Sequence, residues 1–427
     1  MTPITLPRLS HFGGEFDLPG SKSLTNRALL LSALASGTTR LHNVLVSEDT
    51  SRMREALAQL GVSLQEDGNE VLVTGVGGIF ESPTNMDFFL GNAGTAIRPL
   101  TAALAHTPGT FRIDGDDYMR ERPIAHLADA LSSLGTTIQY EAKTGYPPLL
   151  LTGGTLRGGQ VSIPGNISSQ FLTALLMSLP LCAQDSTISV TGEQVSTPYL
   201  DITLSIMARF GIHATHENYG LFRVPGGQHY LSPGDFHIEG DASSASYFLA
   251  AAAITGETIR INGIGDQSVQ GDVAFLDVLE AMGANVSRHD DHVDVSRDGP
   301  LMAVDLDLNH IPDAAMTVAA LALFAEGKTT IRNVYNWRVK ETDRMHAMSE
   351  GLTRLGASVK TGDDWIAISP PSVIQPANIN PYGDHRVAMS FSLAAFATSN
   401  VTILDADCTA KTFPGYFDTF LSLAGTD

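Results

Sequence analysis

The sequence predicts an α/β protein made of six repeated βαβαββ-like units, three in each of two domains. Three observations predict it. One type of segment recurs six times, with starts about 70–75 residues apart. Each copy joins a helix that is apolar nearly all round to a short strand rich in Thr, Ile and Val. In the first five copies a second, amphipathic helix ends at a glycine and gives way to a pair of alternating strands.

The six segments are GSKSLTNRALLLSALASGTTRLHNV from Gly20, GNAGTAIRPLTAALAHTPGTFRIDG from Gly91 and GNISSQFLTALLMSLPLCAQDSTISVTG from Gly165. The rest are GDASSASYFLAAAAITGETIRINGI from Gly240, IPDAAMTVAALALFAEGKTTIRNV from Ile311 and PYGDHRVAMSFSLAAFATSNVTILDA from Pro381. Each opens on small polar residues, runs into Ala and Leu, and breaks at a Gly, Asn or Asp turn. Helices without a polar face are buried ones, so each domain should hold a set of buried helices covered by sheets. The glycines closing the second helices are Gly61, Gly135, Gly211, Gly283 and Gly356, where a helix end calls for a left-handed residue. The sixth copy, FDTFLSLAGTD, stops just after its helix. The Pro- and Gly-rich stretch from Pro233 to Gly240 marks the boundary after the third unit.

Bulk composition agrees with this organisation. A chain of 427 residues is too long for one ordinary core and suits two domains. With 43% hydrophobic and 17% charged residues it can bury a core. No apolar run reaches the roughly 18 residues of a membrane span. The N-terminus MTPITLPRLS lacks a basic flank followed by an apolar stretch, so cytoplasmic residence is the expectation. Two cysteines, Cys182 and Cys408, exclude a disulfide framework or a cysteine metal site. A formal charge of −20 argues against nucleic acid and anionic membranes as partners. In such a chain any anionic substrate must be met by a local cluster of Lys and Arg.

Those cations sit at helix starts. Lys22 and Arg27 flank the first, Arg98 lies in the second, and His385 and Arg386 open the sixth. A helix N-terminus offers unpaired N–H groups and partial positive charge. Cations there oppose the dipole, so several basic starts in an acidic chain point to bound anions. Ser168, Ser169 and Ser243, Ser244 taken singly read as ordinary caps.

With these segments in view the chain resembles the 5-enolpyruvylshikimate-3-phosphate synthase family. The resemblance is carried by LPGSKSLTNR (Leu18 to Arg27), LGNAGTAIRPL (Leu90 to Leu100), GNISSQF (Gly165 to Phe171) and STPYLD (Ser196 to Asp201). It continues in NWRVKETDR (Asn336 to Arg344), YGDHRVAM (Tyr382 to Met389) and KTFPGYF (Lys411 to Phe417). The motifs are in order and span nearly the whole chain. The Gly94-Thr95-Ala96 form resembles the bacterial, glyphosate-sensitive class. The resemblance implies the enolpyruvyl transferase fold, an inside-out assembly of two α/β domains. One would hold residues 1–20 plus 240–427, including the strand near Ile4 to Pro7, and the other residues 21–239. The active site would lie in the cleft between them.

It also implies a reaction and a set of roles. The enolpyruvyl group of phosphoenolpyruvate would pass to the 5-hydroxyl of shikimate 3-phosphate, and phosphate would leave. Shikimate 3-phosphate would be bound by Lys22, Ser23, Arg27, Ser168, Ser169, Gln170, Ser196, Tyr199, Asp313, Asn336 and Lys340. Phosphoenolpyruvate would be met by Lys22, Asn92, Gly94, Arg122, Gln170, Arg344, His385, Arg386 and Lys411. Asp313 would orient and deprotonate the attacking hydroxyl, Glu341 would protonate the methylene carbon, and Lys22 would act as counter-ion or proton relay. No cofactor or metal is implied, glyphosate is the expected inhibitor, and a monomer is the expected state.

Plainer readings exist for several of these residues. Asp313 follows Pro312 and could cap the fifth buried helix. Glu341 and Arg344, three apart, could form a surface helix pair, and Asp384 to Arg386 could be a solvated turn. Gly327-Lys328-Thr329 lacks the earlier glycine of a P-loop, since position 322 is Ala322. His289 to His292 reads as a solvated hairpin turn. The alternative function is the sister transfer to UDP-N-acetylglucosamine. That enzyme commonly uses a loop cysteine, and here the corresponding Asp114 to Pro123 segment has none.

Overall fold

The computed structural model describes residues 2–81 and 85–426. They form a mixed α/β molecule with two compact units, Gly20–Ile238 and Met1–Pro19 with Glu239–Asp427.

The Gly20–Ile238 unit holds three repeats. The first comprises α1 (Lys22–Leu34), the strand Thr38–His42, α2 (Glu48–Gln59) and the hairpin Ser63–Asp67 and Glu70–Thr74. The second comprises Asn85–Phe89, α3 (Gly94–Leu104), Gly109–Asp114, α4 (Ala125–Ser133), Thr137–Tyr140 and Leu149–Gly153. The third comprises Gln160–Pro164, α5 (Ser169–Ser178), Ser186–Thr191, α6 (Pro198–Arg209), Thr215–Glu217 and Leu221–Val224. In the second and third repeats the sheet order is first, second, fourth, third strand. The first two strands run parallel and the other pairs antiparallel. The first repeat borrows its opening strand: Asp235–His237 returns from the far end of the unit and pairs parallel with Thr38–His42.

The other unit repeats the plan. It contains α7 (Ala242–Thr255), α8 (Phe275–Ala281), α9 (Ala315–Leu321), α10 (Arg344–Arg354), α11 (His385–Ser392) and α12 (Tyr416–Ser422). Its first repeat also borrows a strand, Gly14–Asp17 from the N-terminus, parallel to Ile259–Asn262. In its last repeat Ile4–Leu6 lies antiparallel to Val401–Ile403. The sequence reading ends the sixth copy at its helix, but Ala424–Thr426 adds a strand paired with Leu9–Phe12. Ala-Gly-Thr carries no alternation to reveal a strand, and its partner lies at the other end of the chain.

Helix composition explains the layering. Every residue from Ala242 to Ala253 of α7 is buried, and so is α1 except for Ser23. Small residues let such helices approach closely, and a Ser246 to Thr317 hydroxyl contact of 2.7 Å joins α7 to α9. The second helices are one-sided: α2 buries Met53, Ala56 and Leu57 and exposes Glu55 and Gln59. Their closing glycines, Gly61, Gly135, Gly211, Gly283 and Gly356, all have φ between +81° and +104°, which reverses the chain into the hairpin. Among the described residues no helix is long and apolar enough to cross a membrane.

Candidate active site

Each unit gathers polar and charged groups at the starts of its buried helices. In Gly20–Ile238, Lys22 opens α1 and is 6% exposed, with Nζ 3.3 Å from Asp49 Oδ2 of α2. Without that carboxylate a buried cation at a helix N-terminus would be doubly unfavourable. Ser21 makes no side-chain cap bond to α1. One turn on, Arg27 donates to Thr203 Oγ1 and Ser23 O at 2.9 Å, Tyr199 O at 3.3 Å and Thr173 Oγ1 at 3.4 Å. All four are neutral oxygens. Burial pushes the guanidinium down to about 10, although Tyr199 acts in the opposite direction. A buried cation ringed by neutral oxygens favours the arrival of an anion.

Ser168 caps α5 by accepting from the Gln170 N–H at 3.2 Å, and Ser169 is the first residue of that helix. Ser196 is buried with φ +56°, a left-handed conformation unusual for serine. It precedes α6, on whose first turn Tyr199 lies. The start of α3 forms a second cationic cluster. Arg98 Nη1 donates to Gln170 Oε1 at 2.7 Å and Nη2 to Pro123 O at 3.0 Å. Arg122 Nη1 donates to Asn92 Oδ1 at 2.8 Å and Asn92 O at 3.1 Å. A methyl on Gly94 would stand 2.6 Å from Arg98 Nη1, 2.8 Å from Arg122 Nη2 and 3.0 Å from Gln170 Oε1. The absence of a side chain there is what lets both guanidinium groups converge.

The other unit holds a denser network. Asp313 Oδ1 is 2.6 Å from Arg344 Nη1 and 4.0 Å from Lys340 Nζ, and its Oδ2 is 3.1 Å from Arg386 Nη2. Arg344, 1% exposed, also reaches Glu341 Oε2 at 2.8 Å and Asp384 Oδ2 at 2.7 Å. Asp384 caps α11 by accepting from the Arg386 N–H at 2.9 Å, and Arg386 Nη1 lies 3.4 Å from the Tyr247 hydroxyl. The Trp337 indole donates to Pro312 O at 2.7 Å, which pins the turn carrying Asn336 and Lys340 beside Asp313. His385 is fully buried on α11, its Nδ1 3.6 Å from Asp384 Oδ1. Lys411, 6% exposed, ends the turn Ala406–Lys411, which packs on α11.

Burial by itself would raise Asp313, but the charges of Arg386, Lys340 and Arg344 outweigh it and hold the carboxyl well below its ordinary range. Burial pulls Arg344 down, and Asp384, Glu341 and Asp313 together more than reverse that. The plainer readings fall away here. The side chain of Asp313 turns to Arg344 and Arg386 instead of capping α9. The Glu341–Arg344 pair is not a surface one, its Arg344 side chain being buried and its Glu341 side chain 9% exposed, and Asp384, His385 and Arg386 are interior. Sequence reasoning did not foresee Asp49, Asp384 and Tyr247 in these clusters, and it named Arg98 only as a cation at a helix start, without a substrate. Arg98 and Asp384 sit inside motifs already singled out. Asp49 had no signal, because an acid in the first turn of an exposed helix is ordinary. His289, His292 and Asp294 offer ligand atoms within 4.8 Å of one another, so they could hold a metal. However, Arg260 already grips Asp294 at 2.8 and 2.9 Å.

The sequence profile of EPSP synthase (3-phosphoshikimate 1-carboxyvinyltransferase) matches residues 8–420. The chain belongs to this family. A protein of Sulfurovum sp. (strain NBC37-1) named 3-phosphoshikimate 1-carboxyvinyltransferase is 56% identical over 99% of this chain and 100% of its own length. One of the same name from Aliivibrio fischeri (strain MJ11) is 54% identical over the same shares. Among solved structures, EPSP synthase from Acinetobacter baumannii superposes with a TM-score of 0.82 at 27% identity, covering 99% of this chain and 98% of that one. The enolpyruvyl transferase NikO from Streptomyces tendae, at TM-score 0.78 and 18% identity, shares the fold. The family's fold is therefore the fold of this chain, as the motif resemblance implied.

Proposed function

We infer that this chain transfers the enolpyruvyl group of phosphoenolpyruvate to the 5-hydroxyl of shikimate 3-phosphate and releases phosphate. The observation that carries the mechanism is the arrangement of Asp313 and Glu341 on the single guanidinium of Arg344. The reaction needs an acceptor for the hydroxyl proton and a donor for the methylene carbon, and two carboxylates held by one fork supply both. Asp313 accepts a hydrogen bond from the attacking hydroxyl. Because its basicity is low, it takes the proton late, as the oxygen bonds to the carbon bearing phosphate and becomes acidic. Glu341 acts in its protonated form: it gives its proton to the methylene carbon, which becomes a methyl group, and is left as the carboxylate beside Arg344. The resulting tetrahedral adduct loses phosphate by C–O cleavage, the leaving phosphate takes the proton held by Asp313, and Glu341 takes back a methyl proton, restoring the enol ether.

The remaining roles follow the charges. Arg27, with Ser23, Ser168, Ser169, Gln170, Ser196, Tyr199, Asn336 and Lys340, holds shikimate 3-phosphate. Lys22, Asn92, Gly94, Arg122, Gln170, Arg344, His385, Arg386 and Lys411 meet phosphoenolpyruvate, and Arg98 supports Gln170. Lys22 doubles as counter-ion or proton relay. The protein acts as a cytoplasmic monomer without a metal or cofactor. A coupled assay of phosphate release, with shikimate 3-phosphate against UDP-N-acetylglucosamine as acceptor, tests the reading. Turnover with the nucleotide sugar in place of shikimate 3-phosphate overturns it.

Two variants test the pockets. Arg27→Ala weakens shikimate 3-phosphate binding by at least about tenfold, since hydrogen bonds to charged groups contribute about 1.5–3 kcal/mol. Its turnover at saturation changes far less. Folding does not suffer in proportion, because burying that guanidinium is itself unfavourable without an anion. Steady-state kinetics with thermal unfolding check both statements, and an unchanged Michaelis constant for shikimate 3-phosphate removes Arg27 from the site.

Glyphosate competes with phosphoenolpyruvate, and Gly94→Ala relieves it. The added methyl meets Arg98, Arg122 and Gln170, so these side chains must shift. Glyphosate, the longer ligand, loses more from that shift than phosphoenolpyruvate, whose Michaelis constant also rises. Inhibition series with each substrate varied are the measurement. Equal sensitivity in parent and variant, or competition against shikimate 3-phosphate, refutes the assignment.

A further inference from the structure

Asn336, Lys340, Glu341 and Arg344 all come from the motif NWRVKETDR, whose Arg338 and Asp343 have no part in the roles given so far. Lys340 and Glu341 lie between the turn Tyr335–Val339 and α10, and residues 340–343 belong to no helix or strand. Such a segment has no backbone ladder to fix it, so its position depends strongly on how its two ends are held. On the buried side the Trp337 indole donates to Pro312 O at 2.7 Å.

On the other side Arg338 reaches two more elements. Its Nη2 donates to Gly362 O at 2.8 Å and its Nε to Asp363 O at 2.9 Å. Both carbonyls belong to the turn between the strands Ser358–Thr361 and Ile366–Ser369. Arg338 Nη1 also lies 3.4 Å from Asp343 Oδ2, and Asp343 caps α10 by accepting from the His346 N–H at 3.1 Å. Arg338 and Asp343 thus close the segment that carries Lys340 and Glu341. The hairpin is a firm anchor. Its strands pair antiparallel along their full lengths, the Gly362 N–H donates to Trp365 O at 2.9 Å, and the Val334 N–H donates to Asp364 O at 2.8 Å.

We propose that Arg338 is a positioning residue of the enolpyruvyl transfer: its guanidinium ties the segment carrying Lys340 and Glu341 to the hairpin turn at Gly362 and Asp363. The proposal rests on the roles given to Lys340 and Glu341 above. Its physical content is geometric. Lys340 Nζ lies 4.0 Å from Asp313 Oδ1, and Glu341 Oε2 lies 2.8 Å from Arg344 Nη2. Displacing such groups by about 1 Å can cost about 100-fold in rate. A planar fork suits the task, because one rigid group meets several acceptors at once. Arg344 and Arg386 have their own partners in Asp384 and Asp313, so losing Arg338 bears on shikimate 3-phosphate and on proton transfer more than on phosphoenolpyruvate. The Arg338 side chain is 30% exposed and that of Asp343 43%, so removing the guanidinium strands no buried charge.

The experiment is steady-state kinetics of Arg338→Ala, Arg338→Lys and Lys340→Met with each substrate varied, well below the unfolding midpoint, and thermal unfolding alongside. Arg338→Ala is expected to lower kcat and raise the Michaelis constant for shikimate 3-phosphate, cutting kcat/KM for that substrate by about 10–100-fold, the scale of a small misplacement. The Michaelis constant for phosphoenolpyruvate stays within about twofold, as for a site held independently. A merely structural residue would lower the unfolding midpoint and leave the kinetics of the folded enzyme parental, or raise both Michaelis constants alike. Either result overturns the proposal. Arg338→Lys keeps the charge without the fork and recovers only part of the loss. Parental kinetics in Arg338→Lys would show that charge alone matters, and would also overturn it. If Arg338→Ala does not fold, Arg338→Lys decides by the same split between the two substrates. Lys340→Met with an unchanged Michaelis constant for shikimate 3-phosphate would instead remove the role of Lys340, and the proposal with it. That outcome is distinct from parental kinetics at Arg338.

Discussion

Glu341→Gln slows turnover by about 10²–10⁴-fold, the usual contribution of a positioned acid or base, while both Michaelis constants stay within about threefold. The substitution is chosen for what it keeps. Glu341 Oε2 accepts from Arg344 Nη2 at 2.8 Å, and the glutamine amide oxygen can accept the same bond in nearly the same volume. Arg344 retains Asp313 and Asp384 as counter-charges, so the guanidinium need not move. What disappears is the ability to give a proton to the methylene carbon. Single-turnover and steady-state rates provide the measurement. A variant within about threefold of the parent, far inside the range expected of such a group, takes the acid role from Glu341. A large rise in the phosphoenolpyruvate Michaelis constant would make Glu341 a binding group.

Arg344→Ala has the largest effect on folding. The side chain is 1% exposed and bonds Asp313, Glu341 and Asp384. Removing one partner of a buried ion pair costs about 3–5 kcal/mol because the other charge stays buried without compensation. Here three carboxylates lose the shared cation, although Lys340 and Arg386 still serve Asp313. For a unit of this size the unfolding midpoint falls by about 6–20 °C. The sign of the pH dependence follows from the depressed carboxyl of Asp313. Its stabilising contribution is present above the ordinary aspartate range and is lost as pH falls toward the lowered folded value. Losing Arg344 raises that folded value, so acid unfolding begins at higher pH in the variant. Arg344→Lys recovers little, since a point charge cannot fork to three carboxylates. A midpoint within about 2 °C of the parent, less than about 1 kcal/mol, would show that the network does not carry the stability assigned to it.

The candidate site is partly legible in the sequence alone. Lys22, Arg27 and Arg386 stand out because cations at helix starts are unfavourable unless an anion is expected. Ser196 and Tyr199 could be named only through the motif that holds them, since nothing in Ser-Thr-Pro-Tyr announces a left-handed serine at a helix start. Asp49 was not legible. It is an acid in the first turn of an amphipathic helix, and it gains its meaning from Lys22, brought to it by folding.

The sequence by itself determined the six-unit plan, the division into buried and one-sided helices, and the glycines that turn each second helix into a hairpin. These are local properties, because a helix without a polar face must be covered and a left-handed turn needs glycine. Only the tertiary structure decided where the borrowed strands go. Asp235–His237 completes the sheet of α1, Gly14–Asp17 that of α7, and Ala424–Thr426 pairs with Leu9–Phe12. It alone also decided that Arg344 serves three carboxylates and that Gly94 faces two guanidinium groups. The physical reason is the same in both cases. A three-residue strand or a single charge has no periodicity of its own, and its partner is chosen by distances that exist only once remote segments are packed.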